Sequence, residues 1–268
     1  MQNIHSHSVY CDGRNTVEEM ALAAIDMGCD TFGFSGHSHA AFDAKHSMSP
    51  GDTKNYIADV ERLRERLADR IELFLGVEQE GYSDADTSGY DFVIGAVHYV
   101  KKDGEYICID NGPDRQQASV DKHFGGDYLE RAELYFQTVA ETVTKIRPDV
   151  VAHFDLVTKY NFDGSLFDES HPRYVDAALG AMDEVLKSCK LFEINTGAMF
   201  RFGKPEPYPS EFLLRELRRR GGEVIFSSDS HSTDSICFGY DKMRDLAKSC
   251  GFSYYKRLTR GGFVDEKL

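Results

Sequence analysis

The sequence predicts an α/β fold: a single distorted (β/α)7-type barrel, with a metal site at the C-terminal ends of its strands. Three observations point there. Apolar strand-like runs alternate with amphipathic helix-like segments about seven times, the pattern of a mostly parallel sheet with crossover helices. The length, 268 residues, suits one barrel-sized domain spanning residues 1–268. Metal-capable side chains stand where the apolar runs stop.

The elements follow in order. NIHSHSVY reads as a first strand, on which His5 and His7 share a face because side chains two apart in a strand point the same way. TVEEMALAAIDMG is a helix, with Thr16 as N-cap, Glu19 three residues on and Gly28 as the stop. TFGFSGH is the next strand, and Lys54 to Arg70 a charged amphipathic helix. IELFLGVEQE and YDFVIGAVHYV are strands, and Tyr128 to Lys145 is a long helix. DVVAHFDLV is a strand, Tyr174 to Ser188 a helix, CKLFEINTG a strand, Ser210 to Arg220 a helix and GEVIFSSDSH a strand. Tyr240 to Ser249 is the last clear helix, followed by FSYYKRLTR. The longest irregular stretches are Ser38 to Thr53, Lys101 to Gly126 and Asn161 to His171, and loops of that length are commonly functional.

Composition narrows the function classes. The formal charge is −14, which opposes nonspecific attraction to a nucleic-acid backbone, so no nucleic-acid partner is expected. It leaves anionic substrates open, because bound divalent cations reverse the local potential. No apolar run approaches membrane-spanning length, and the polar stretch from Asn3 to Asp12 does not read as a signal peptide. Six cysteines without CxxC spacing read as reduced thiols of a cytoplasmic protein. A monomer or homodimer is expected.

Placed on this map, the polar residues fall at strand ends. His5 and His7 end the first strand and Asp12 follows in the loop. His37 ends TFGFSGH, Glu78 ends IELFLGVE, His98 ends DFVIGAVH, His153 ends DVVAH, and Asp229 and His231 end VIFSSDSH. The carboxyl ends of barrel strands form the face on which active sites are built. His46, His123 and His171 lie in loops and read as surface residues. His39 either touches substrate or points to water. Histidine with carboxylate and no thiolate suits Zn, Mn or Fe. So large a set suits two or three ions with a bridging carboxylate, an arrangement fitted to displacement at phosphorus.

The blocks IHSHS with Asp12, FSGH, GVE, AVH, AHFD and SSDSH together resemble the polymerase-and-histidinol-phosphatase (PHP) superfamily of metal-dependent phosphoesterases. The segment EINTGAMFRFGKPEPYPSEFLLRELRRRGGEVIFSSDSH is similar to the stretch preceding the last motif in its histidinol-phosphate phosphatases. The resemblance implies ligand roles. His5, His7, Glu78 and Asp229 would hold a first metal. Glu78 would bridge to a second, completed by His98 and His153. Asp12, His37 and His231 would hold a third.

It also implies that Arg201 grips phosphate. Where the family often has an arginine after the third motif, this chain has Thr158, with Lys159 next. Lysine lacks the bidentate fork of arginine.

The expected reaction is hydrolysis of a phosphate monoester, L-histidinol phosphate in histidine biosynthesis, by attack of a metal-bridging hydroxide. Asp229, Arg201 and His231 are the candidate catalytic residues, and Arg201, Lys159 and His39 the candidate substrate contacts. Phe42, Asp43, Phe162 and Asp163 are candidates for an acidic, aromatic pocket rim. Three alternatives stay open: a phosphoesterase acting on nucleotides or other small phosphate esters, a metal-dependent amidohydrolase, and a noncatalytic metal-binding module.

Overall fold

The computed structural model describes residues 1–268. The chain runs β1 (Gln2–Asn3), α1 (Val17–Asp26), β2 (Thr31–Phe34), α2 (Pro50–Arg66), β3 (Glu72–Glu80), β4 (Phe92–Ala96), β5 (Tyr99–Lys102), β6 (Glu105–Cys108), α3 (Pro113–Phe124), α4 (Tyr128–Ile146) and β7 (Val150–Val151). It continues through α5 (Pro172–Val185), β8 (Leu191–Asn195), α6 (Gly197–Phe202), α7 (Glu211–Arg219), β9 (Glu223–Ser227), α8 (Tyr240–Ser249), β10 (Tyr254–Thr259) and β11 (Gly262–Lys267).

Seven strands form one sheet in the order β1-β2-β3-β4-β7-β8-β9, and every pairing in it is parallel. The sheet closes on itself through a single parallel bridge between Ser6 and Ser230. There the His7 amide donates to the Ser230 carbonyl at 2.8 Å and the Ser230 amide to the His5 carbonyl at 3.1 Å. The fold is the (β/α)7 barrel that the alternation predicts.

The barrel interior is apolar below the site. Ile4, Phe74, Phe92, Ile94, Val150 and Ile225 from the strands pack together there with Leu258 from β10. Phe92 fits because its register partner on β3 is Gly76; a Cβ at Gly76 would stand 2.2 Å from the ring. Two larger clusters fill the space between the barrel and its helices. The antiparallel hairpin β10–β11 covers the N-terminal end of the barrel, where the Gln2 side chain exchanges two hydrogen bonds with the Leu258 backbone at 2.8 and 2.9 Å.

Four local expectations are corrected. The first strand is only two residues long. Ile4 belongs to the interior cluster while His5 and His7 also turn inward, so the alternation slips by one and the ladder lapses until Ser6. The second helix starts at Pro50 rather than Lys54, because Ser49 and Asp52 form a capping box with proline in the first turn. The stretch Lys101 to Gly126 is structured. Asp103 and Gly104, with φ of 53° and 82°, make the two-residue turn between β5 and β6, and α3 follows, ended by left-handed Gly125. DVVAHFDLV is a two-residue strand that breaks into a 3₁₀ turn, Leu156–Thr158. No helix is long and apolar enough to cross a membrane.

Candidate metal centre

Nine side chains expected as ligands come from six of the seven strands or the loops that follow them, and they meet at the carboxyl end of the barrel. Glu78, buried near the end of β3, is the hub. Its Oε2 lies 2.9 Å from His37 Nδ1, 3.3 Å from His5 Nε2 and 3.4 Å from His7 Nε2. Its Oε1 lies 3.0 Å from His153 Nε2 and 3.5 Å from His98 Nε2. Asp229 Oδ1 faces the same two histidines from β9, 3.7 Å from His5 Nε2 and 3.2 Å from His7 Nε2. A third set gathers around Asp12, whose carboxylate lies 3.6 Å from His7 Nδ1, 3.6 Å from His37 Nε2 and 3.3 Å from His231 Nε2.

These contacts fit divalent cations. Two donors about 2.0–2.1 Å from a tetrahedrally held ion stand about 3.3 Å apart. Four neighbouring atoms, His5 Nε2, His7 Nε2, Glu78 Oε2 and Asp229 Oδ1, are buried without a hydrogen-bond partner, and each of the two carboxylate oxygens faces both imidazoles. Buried polar atoms are normally satisfied, and a cation among these four would satisfy all of them. Asp12 Oδ1 and His153 Nδ1 are unpartnered as well. Three groups meet metal-site geometry: His5–His7–Asp229, His37–Glu78–His98 and His7–Asp12–His37–His231.

Electrostatics agree. Burial, then the imidazoles of His231 and His37, lower the His7 pKa to about 3, which keeps it in the neutral form that ligates. Burial disfavours the charge on Glu78, but the surrounding His37, His5 and His98 outweigh it and hold its carboxyl well below the usual range.

The ligands are themselves held. His5 Nδ1 bonds Glu193 Oε2 at 2.7 Å. Glu193, fully buried on β8, also accepts from the His153 amide at 2.7 Å, from Asn195 Nδ2 at 2.7 Å and from Ser227 Oγ at 2.6 Å. Glu80 Oε2 accepts from the His98 amide at 2.9 Å and lies 3.0 Å from His98 Nδ1. Such outer carboxylates fix the tautomer and orientation of a ligating imidazole. The expected ligand set omits both. A signal was present: a charged residue inside the apolar run LFEIN, and a second acid two positions after Glu78 on the same strand face.

Asp229 has a φ of 44°, a left-handed turn that ends β9 and swings Asp229 and His231 toward the site. Arg201 stands on the short helix α6. Its Nη2 is 2.9 Å from Asp229 Oδ2 and its Nη1 is 3.0 Å from His231 Nε2. The approach requires Gly197, where a Cβ would lie 2.9 Å from that of Asp229.

A cavity of about 400 Å³ opens above the ligands; Arg201, Lys159, Asp43, Tyr99, Phe202 and Tyr208 are among its other lining residues. Lys159 is paired with Asp110 at 2.8 Å. Thr158 is buried and bonds the Asp155 carbonyl at 2.9 Å, so it offers nothing to a ligand.

Four expected substrate-side residues are placed elsewhere. His39 does not line the cavity; its Nδ1 is 2.9 Å from the Met48 carbonyl, because the loop after β2 folds back on itself. Phe162 and Asp163 are exposed and outside the cavity. Phe42 is stacked on Tyr106 at 4.2 Å.

The fold and the site define a metal-site α/β barrel. The PHP domain family matches residues 3–197, and the chain belongs to that family. Asp229 and His231 lie beyond the matched stretch. The chain is 23% identical to the "Probable histidinol-phosphatase" of Schizosaccharomyces pombe, over 96% of this chain and 89% of the relative. It is 26% identical to the "Histidinol-phosphatase" of Saccharomyces cerevisiae, over 91% and 87%. A solved histidinol phosphate phosphatase of Lactococcus lactis, complexed with Zn, L-histidinol and phosphate, superposes with a TM-score of 0.75 at 20% identity, covering 98% of each chain.

Proposed function

We propose that the chain, over residues 1–268, is a metal-dependent phosphate monoester hydrolase whose substrate is L-histidinol phosphate. The observation that carries the hydrolase reading is the set of four buried, unpartnered ligand atoms with the Arg201 guanidinium at its edge. The substrate is supported by the relatives' names and by their coverage of nearly the whole chain. Two or three divalent ions, Zn, Mn or Fe, would be held by His5, His7, Glu78 and Asp229, by Glu78, His98 and His153, and by Asp12, His37 and His231. Bound there, they supply charge for the phosphoryl oxygens and lower the pKa of a nucleophilic water.

The protein's own residues do the rest. Arg201 offers the phosphate a guanidinium that Asp229 holds in place. Asp229 is kept ionised: burial opposes this, and Arg201 and His5 outweigh it. It is therefore fitted to accept a proton or hydrogen bond rather than to donate one. His231, half-buried at the cavity edge, lies within reach of both Asp12 and Asp229. Lys159 contributes a compensated charge, because Asp110 is its partner.

One observation favours a second reading, a nucleotide or another small phosphate ester. Arg14, Lys45 and Arg115 also line the cavity, are exposed and have no ion-pair partner, so the mouth suits an ester without the ammonium that offsets part of histidinol phosphate's negative charge. The test is phosphate release from L-histidinol phosphate beside nucleoside monophosphates and an aryl phosphate. A kcat/KM for histidinol phosphate about a hundredfold above the others, near 10⁴ M⁻¹s⁻¹ or higher, supports the first reading. Preference for nucleotides replaces it with the second.

A further inference from the structure

Resting on the histidinol-phosphate reading, we propose that Phe202 is the platform on which the substrate's imidazole ring stacks, and so the residue that sets specificity for a ring-bearing phosphate ester. Of the aromatic residues lining the cavity, Tyr99, Phe202 and Tyr208, Phe202 alone offers an open surface. It is 43% exposed, whereas Tyr208 is 2% exposed. Tyr99 is half-buried and packed edge-on against Phe42 at 5.1 Å. An exposed phenylalanine at the mouth of a polar cavity has no folding role that its burial explains, while a ring laid on it removes apolar surface from water.

Phe202 is held in position. Lys159 Nζ sits 4.8 Å from the ring centre, and Asp110 fixes that ammonium at 2.8 Å. Tyr160 meets the ring edge-on at 5.9 Å. Helix α6 ends immediately after it, at left-handed Gly203.

The spacing suits the substrate. Arg201 is the preceding residue, and its guanidinium carbon is 5.9 Å from the Phe202 ring centre. A single turn of chain therefore presents a phosphate contact and an aromatic face side by side. L-Histidinol phosphate carries its phosphate and its ring at the two ends of a short amino-alcohol chain.

The experiment compares kcat/KM for L-histidinol phosphate with that for 2-aminopropyl phosphate, which keeps the amino-alcohol phosphate and lacks the ring. It is run on the metal-replete wild-type chain, Phe202→Ala and Phe202→Tyr. Both substrates are measured on the same preparation, so the ratio is insensitive to the fraction of folded enzyme. The expected result is a high ratio in the wild type, a fall of at least tenfold in Phe202→Ala carried mainly by KM for the ring-bearing ester, and retention within threefold in Phe202→Tyr. A high wild-type ratio that Phe202→Ala leaves within twofold overturns the platform alone. A wild-type ratio near one overturns the histidinol-phosphate reading and the platform with it.

Discussion

The Glu193 carboxylate connects two ligands that belong to different parts of the site. It takes the His5 ring nitrogen on one oxygen and the His153 amide on the other, so the same group orients a histidine just after β1 and the chain at the end of β7. Replacing it with glutamine keeps the shape and loses the charge that fixes His5. Glu193→Gln is expected to weaken metal affinity about 10–100-fold, measured by competition with a chromogenic chelator. Activity should be partly restored at saturating metal. An unchanged affinity would assign Glu193 a packing role only. At this scale the sequence was legible where chemistry is periodic. Eight of the nine expected ligands stand at the ends of strand-like runs and Asp12 in the loop after the first, and the structure brings all nine together. Glu193 and Glu80 were not singled out: the acid inside LFEIN and the acid two positions after Glu78 are local signals, but which imidazoles they hold depends on strands far apart in the sequence. The substrate side was harder still. His39 follows His37 by two residues as His7 follows His5, yet a loop that bonds its ring to Met48 is set by tertiary contacts.

Among the elements, the barrel strands and most helices could be read from alternation and caps, whereas the pieces placed by long-range contacts could not. The hairpin β5–β6 was signalled by Asp103–Gly104 and still sat inside a stretch that looked irregular. The C-terminal hairpin has half-exposed strands, so it lacks the apolar run that marks the barrel strands. Its role follows from one side chain. Leu258 is buried in the interior cluster of the barrel, at the end opposite the metal ligands, and its backbone is tied to Gln2. Leu258→Ala is expected to destabilise the fold by about 2–5 kcal/mol, the range for emptying a buried leucine site, seen as a lower denaturant midpoint at unchanged slope. Metal affinity should change little, since the ligands lie at the other end. A midpoint equal to wild type would mean that the hairpin is an appendage rather than a plug.

Taken as a whole, the molecule separates a stabilising end from a reactive one, and buried charge is concentrated at the reactive end. Asp155 is one such buried acid, and it has a measurable consequence. It is fully buried beside the site, and burial raises its pKa to about 7 despite Lys204 and the Ser210 amide, which donates to it at 3.0 Å. In the unfolded chain an aspartate titrates near 4, so between those values the folded state binds the extra proton. The stability contributed by the neutral form is therefore present below about pH 4 and is lost as pH rises through about 7. Metal-free wild-type protein should lose thermal stability from pH 5 to pH 8 relative to Asp155→Asn; parallel profiles would place the ionisation elsewhere.

The overall acidic charge, −14, makes the central claim sharper, because binding of a phosphate ester by such a chain depends on cations gathered at one mouth. The direct measurement is to strip the protein with chelator and titrate it with Zn or Mn, following bound metal and phosphate release from L-histidinol phosphate together. The account predicts no release from metal-free protein, and activity that rises with occupancy and levels off at about two to three ions per chain, the number the Glu78-centred and Asp12-centred ligand sets would hold. Full activity without metal, or a chain that binds none tightly, would contradict it.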